Sequence, residues 1–383
     1  MSLKVSGRGR VPPFIAMDVL RAANERQATG ADVLHLELGQ PSTSAPARVI
    51  AAAEAALRSD PLGYTDALGI PPLRQAIARH YRERYALELD PERVIVTVGA
   101  SGGFLLAFLA AFDAGDRVGM VAPGYPAYRN ILHALDLEPV EIPAGPEERY
   151  QPTPALLQRA AKPLDGLIVA SPANPTGTML SPDELTTLAR YCEAQGIRLV
   201  SDEIYHGITY DRAEATVLAG SDRAIVVNSF SKYFSMTGWR LGWLVLPPEL
   251  VRPVECLAQN LFISPPALSQ HAAVAAFHCR DELDANVARY RDNRALLLED
   301  LPKAGFDRLA PPDGAFYLYA DVAHLTNDSI EFCRRILADT GVALTPGVDF
   351  DPARGNGTLR ISFAGSTATV AEAARRLRAW HRR

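Results

Sequence analysis

The sequence predicts an α/β protein: a mostly parallel β-sheet flanked by helices, with a second, smaller α+β domain. Three observations carry this. Short apolar runs suited to buried strands, at residues 94–98, 117–122, 167–171, 197–201, 224–229 and 241–246, alternate with longer segments of helical period. After Pro247 the alternation gives way to helical stretches at 266–278 and 281–301, followed by two strand candidates, GAFYLYADV and TLRISFAG. A chain of 383 residues, 48% of them hydrophobic, can also bury more than one core. The expected division is 41–284 for the large domain, and 1–40 with 285–383 for the small one.

Each element has a local reason. The first helix is expected around residues 17–29. Strand 94–98 runs through GASGG (99–103) into an apolar helix at 102–112, and a further helix is expected at 128–135. The helix at 182–195 has the clearest start, with Ser181 as N-cap, Pro182 in the first position and Glu184 placed to complete a capping box. No internal repeat or low-complexity segment interrupts the pattern.

Composition narrows the partners. A net charge of −5 and a pI near 5.9, with no basic run longer than Arg8 to Arg10, argue against nucleic acid and anionic membranes and leave small molecules. The longest apolar run, 104–112, is far short of the ~20 residues a membrane span requires, and the N-terminus lacks the apolar core of a signal peptide. A cytoplasmic location is expected. The four cysteines show no CxxC spacing and the eight histidines no HExxH, so no disulfide framework and no metal site are expected.

The chemistry gathers at the predicted strand ends, where open α/β sheets bind ligands. GASGG fits three things equally well: a backbone cradle for a phosphate, a plain tight turn, or the G-x-S-x-G elbow of an α/β hydrolase with Ser101 as nucleophile and a late histidine such as His324. The next strand ends in SPANPTG (171–177), whose prolines fix Asn174 in a turn, and the one after it in SDEIYHG (201–207), with Asp202 and Tyr205 three apart. Strand 224–229 ends in SFSKYFSMTGWRLGW (229–243). Of 39 Lys and Arg side chains only four are lysines, so Lys232 is a weak candidate for routine surface charge. Ser229, Ser231 and Arg240 around it suit a phosphate, and a buried lysine loses its proton more easily and becomes a nucleophile. Arg360 lies inside the apolar TLRISFAG, where its fork could hold a carboxylate or join a structural ion pair.

Taken together, and in this order, LELGQPSTSAP, YTDALGIPPLRQAIA, VTVGASGG, PGYPAY, SPANPTG, SDEIY, SFSKYFSMTGWRLGW and LRISFAG resemble the class I aminotransferases of the aspartate aminotransferase fold, fold type I of the pyridoxal phosphate enzymes. The strongest pieces are NPTG and S-x-S-K with an arginine eight residues on. The resemblance spans nearly the whole chain and implies pyridoxal 5'-phosphate as cofactor, held by Lys232 through a Schiff base. It implies Asp202 at the ring nitrogen, Asn174 and Tyr205 at the phenolic oxygen, and Tyr125 stacked on the ring. Ala100, Ser101, Ser229 and Arg240 would hold the phosphate, with Tyr64 reaching across from a neighbouring subunit of a homodimer. Arg360, helped by Gly39 and Asn174, would bind the substrate carboxylate.

The reaction implied is ping-pong transfer of the amino group of an L-amino acid to a 2-oxo acid. A β-lyase on the same scaffold is the alternative, the Ser101 hydrolase a remote one, and a non-catalytic sensor would need a basic DNA-binding domain. Ser101 stands where some aspartate-using members carry a lysine, so a neutral or aromatic donor, with 2-oxoglutarate or pyruvate as acceptor, is implied as readily as aspartate. Phe14, Ile15 and the loop 41–45 are the expected wall for the substrate side chain.

Overall fold

A seven-stranded sheet organises the chain in the computed structural model, which describes residues 3–159 and 162–382. Its order is Val94–Thr97, Gly242–Val245, Ile225–Ser229, Arg198–Asp202, Gly166–Ala170, Arg117–Ala122 and Glu138–Pro143. Six strands run one way; Gly242–Val245 alone is reversed, pairing antiparallel with both neighbours. Side chains along the strands alternate between two apolar layers. Ile168, Val200, Ile225, Val227 and Leu244 join the layer under helices Gly99–Ala111 and Pro248–Leu261, whereas Leu167, Val169, Leu199, Val226 and Trp243 join the opposite one. Burial of Phe104 and Phe108 on the first of these helices contributes about 2–3 kcal/mol each.

The capping box forms as the sequence predicts, with Ser181 Oγ accepting from the Glu184 N–H and Glu184 accepting from the Ser181 N–H. Two boundaries shift toward the site. The helix expected from residue 102 begins at Gly99, so GASGG is its first turn, and the strand expected to stop at 201 continues through Asp202. Strand Glu138–Pro143 (EPVEIP) escaped the sequence pattern because two prolines and two glutamates break its apolar run. It lies at the sheet edge, where a missing N–H costs little. Helices Ala47–Ser59, Pro71–Tyr85, Ser329–Thr340 and Thr367–His381 were also not anticipated.

Both ends of the chain build a second region. Leu34–His35 pairs with Val342–Ala343, and an antiparallel sheet runs Thr345–Pro346, Thr358–Ser362, Tyr317–Asp321, Arg308–Leu309. Tyr319 pairs with Arg360, so Tyr317, two residues along, shares its face of the sheet.

Candidate active site

Strands ending at Ala170, Asp202 and Ser229 open onto a cavity of about 240 Å³, and the reversed strand begins beside them at Gly242. Gly39, Ala100, Ser101, Tyr125, Asn174, Asp202, Tyr205, Ser229, Ser231, Lys232, Arg240 and Arg360 all line it. Residues drawn from across the sequence thus converge on one space.

At the floor, Lys232 follows the strand Ile225–Ser229 in a loop closed by backbone bonds from Phe230 N–H to Leu241 and from Met236 N–H to Phe230. Its Nζ donates to the Gly39 carbonyl at 2.7 Å. Burial pushes its pKa down to about 8, and the positive charges of Arg360 and Arg240 add to this against the pull of Asp202. Asp202, 3% exposed, is pushed up to about 6 by burial. Each of its oxygens is nevertheless occupied: Tyr128 donates its hydroxyl to Oδ2 and Ile204 its N–H to Oδ1 at 3.0 Å. These donors favour the charged carboxylate.

One end of the cavity is built for an anion. Helix Gly99–Ala111 starts there without a side-chain cap, so its first N–H groups are free to bind a ligand. Gly99 has φ +67°, and a Cβ on it would come within 2.5 Å of the Arg240 guanidinium, which therefore lies against the helix terminus. The Ser229 hydroxyl donates to Ser231 Oγ at 2.9 Å, bringing two hydroxyls to the same end. Helix dipole, guanidinium and hydroxyls together suit a phosphate.

At the other end Arg360 is 2% exposed, with its guanidinium 4.5 Å from the Tyr317 ring centroid and 4.8 Å from that of Phe350. Nη1 donates to Asn174 Oδ1 at 2.9 Å, Nη2 to the Glu37 carbonyl and to Thr345 Oγ1, and Nε is buried without a partner. No carboxylate of the chain pairs with it among the described residues. A buried guanidinium without an anion is a site for one. The Tyr205 hydroxyl meets that of Tyr317 at 2.7 Å, and the Tyr125 ring packs edge-on against Phe14 and Tyr128.

Tyr64, expected to act at a neighbouring subunit's phosphate, is 83% exposed and does not line this chain's own cavity. Other expectations fall elsewhere. Phe14 lines the cavity, but Ile15 does not, and its N–H donates to Asp349. The loop 41–45 borders an adjoining recess with Ile50, Trp239 and Pro266, so it does not form the wall expected of it. Nor does a hydrolase triad assemble: among the described residues no histidine lines the cavity, and His324 bonds the Gly305 carbonyl instead. Sequence reasoning missed Tyr128 and Tyr317, although Tyr128 follows Tyr125 by three residues, a helical spacing that signals a shared face.

This fold and this charge pattern are those of the pyridoxal 5'-phosphate-dependent aminotransferases. The chain belongs to the family of class I and II aminotransferases, which matches residues 31–377. Over 384 residues it is 56% identical to a valine–pyruvate aminotransferase of Mycobacterium tuberculosis, covering 99% of each chain. A crystal structure of an aminotransferase from Mycobacterium tuberculosis superposes with a TM-score of 0.98 at 55% identity, covering 99% of both chains. The aspartate aminotransferase of Thermus thermophilus, solved with maleate, superposes at 0.92 with 32% identity, covering 98% of this chain and 99% of its own. The protein is an aminotransferase that uses pyridoxal 5'-phosphate.

Proposed function

We propose that the amino donor is a neutral, apolar L-amino acid of aliphatic type, with pyruvate as an acceptor. The observation that carries this is the cavity's charge inventory. Among its described lining residues only Asp202, Lys232, Arg240 and Arg360 are charged, and all four are taken up by the cofactor and the α-carboxylate. The remaining wall includes Phe14, Met17, Ala127 and Ile131, and Ser101 offers no positive charge to a second carboxylate. A buried acidic side chain would stay unpaired there. The relative named for valine and pyruvate supports the same reading.

Pyridoxal 5'-phosphate, when bound, supplies a carbonyl that captures the substrate nitrogen and a ring that accepts electrons from Cα. The chain supplies the rest. Arg240, Ser229 and the N–H groups of Ala100 and Ser101 hold the phosphate. Asp202, whose charged form Tyr128 and Ile204 favour, would hold the proton on the ring nitrogen. Asn174 and Tyr205 would serve the phenolic oxygen, and Tyr125 the ring face. Arg360 grips the α-carboxylate beside Asn174 and the backbone at Gly39, which orients Cα. Lys232, whose pKa of about 8 leaves much of its amine neutral near that pH, would bind the cofactor and, once the substrate amine has displaced it, would move the proton from Cα to the cofactor's C4' carbon.

We read the functional unit as a homodimer in which Tyr64 reaches the partner's phosphate; its 83% exposure, together with exposed Ile50, Leu57, Leu261 and Ile263, supports this. We propose the domain division at 41 and 284; it is supported by the seven-stranded sheet lying within residues 94–245 and the two smaller sheets using residues 34–35 and 308–362, and residue 284 lies inside helix Arg280–Asp300. We place the protein in the cytoplasm; among the described residues no helix is long and apolar enough to cross a membrane. The test is a matrix of amino donors against 2-oxo acids, with the new oxo acid quantified. Valine and similar donors with pyruvate should lead, and faster turnover of aspartate would overturn the assignment.

A further inference from the structure

We propose that Tyr317 is a positioning residue that couples the two ends of the substrate subsite: its hydroxyl sets the Tyr205 hydroxyl and its ring sets the Arg360 fork. The inference rests on the roles given above to Tyr205 and Arg360. Three contacts carry it. The hydroxyls of Tyr317 and Tyr205 meet at 2.7 Å, and both residues are buried against the cavity. The Tyr317 ring lies 4.5 Å from the Arg360 guanidinium, which Phe350 flanks at 4.8 Å, so the plane of the fork is fixed by two aromatic rings. Finally, any Cβ on Gly39 would overlap the Tyr317 hydroxyl, so the glycine leaves room for this side chain in one place only.

The chemistry follows from the hydrogen-bond inventory. A tyrosine hydroxyl has one proton to give and can also accept. If Tyr205 donates its hydroxyl hydrogen bond to the cofactor's phenolic oxygen, its own oxygen can accept from the Tyr317 hydroxyl. That second bond polarises the Tyr205 hydroxyl and strengthens its donation. The ring, independently, holds the guanidinium flat so that a carboxylate meets its fork without a search through rotamers. One side chain thus serves both the electron sink and the carboxylate clamp, through separable atoms.

The separation makes the test. Tyr317→Phe keeps the ring and removes the hydroxyl. In the loaded enzyme kcat should fall about tenfold, the scale of one buried hydrogen bond, with donor KM changed less than about twofold. The pH midpoint of the cofactor's visible absorbance should rise. Tyr317→Leu removes the ring as well and should raise KM for every donor and acceptor about tenfold, with the same loss for an unreactive monocarboxylate titrated by absorbance. In a Tyr205→Phe background, Tyr317→Phe should change neither kcat nor the midpoint further.

A Tyr317→Phe enzyme with wild-type midpoint and kcat, or one whose effect is undiminished in the Tyr205→Phe background, overturns the coupling. If the leucine variant does not fold, the cycle with phenylalanine still decides. An Arg360→Gln control that leaves KM unchanged would instead overturn the carboxylate assignment on which the inference stands.

Discussion

Two buried polar clusters flank the strand Arg198–Asp202, and they are built on opposite rules. In the first, Arg84 pairs with Glu214, which also accepts from the Gly207 N–H at 2.8 Å. The Tyr85 hydroxyl shares a 2.6 Å bond with His206 Nδ1, and His206 Nε2 meets the Ser171 carbonyl at 3.1 Å. Glu203 accepts from Thr216 and the Val217 N–H. Arg84 and Glu214 answer each other within the chain, whereas Glu203 is held by neutral donors, its Oε2 making no hydrogen bond and lying 3.5 Å from His206 Nδ1. In the second cluster Lys232, Arg240 and Arg360 face the single carboxylate of Asp202, and one end is an uncapped helix terminus. The surplus is positive, the complement of a phosphate and an α-carboxylate. The matched Arg84–Glu214 pair supports the fold, and the positive surplus marks the ligand cavity.

The comparison can be broken in several ways. Lys232→Ala should reduce transamination to background while the fold persists, and near-normal turnover would remove the lysine from the chemistry. Arg360→Ala should weaken every amino acid by about 4 kcal/mol, the scale of one half of a buried charge-assisted pair; a loss confined to a few substrates would show that the arginine reads side chains.

In the matched cluster the effect should fall on stability. Burial pushes Glu214 up, but His206 and Arg84 hold it down at about 2, below its ordinary 4.5. Its contribution of about 3 kcal/mol is therefore present above pH 4.5 and lost as pH falls toward 2. Glu214→Gln should remove that acid-labile portion, read by denaturant unfolding against pH, and leave kcat at neutral pH unchanged. An altered kcat with unaltered stability would erase the distinction between the clusters.

A smaller effect is kinetic. Because the Lys232 amine titrates near 8, cofactor uptake by the stripped protein should slow about tenfold per pH unit below that value and level off above it. A flat profile between pH 6 and 8 would mean that the neutral amine does not control capture. The smallest is Ser101→Lys, which should raise kcat/KM for aspartate several-fold by adding a cation to the cavity wall; no gain would place the side chain elsewhere.

Much of the site was legible because its members are residues that apolar strand ends do not otherwise require: a lysine in a chain that prefers arginine, an aspartate closing a buried strand, an arginine within TLRISFAG. Tyr128 and Tyr317 were not, since a tyrosine in an apolar stretch reads as core, and only the contacts to Asp202 and Arg360 distinguish them. The loop 41–45 was misplaced by its nearness in sequence to Gly39, which lines the cavity while the next residues turn into the adjoining recess. The edge strand was hidden by its prolines, and Asp202 stood in the predicted turn because a polar residue ending a strand looks like a loop.

The reversed strand Gly242–Val245 has a consequence for how the protein is made. Val94–Thr97 comes first among the strands of its sheet, yet it pairs with Gly242–Val245, which comes last. A nascent chain therefore cannot bring Gly99 against Arg240 until residue 245 has left the ribosome. The phosphate end of the cavity thus depends on the longest loop closure in the sheet. A ligand that binds only the closed sheet favours that closure, which makes the colour of the loaded enzyme a reporter of it.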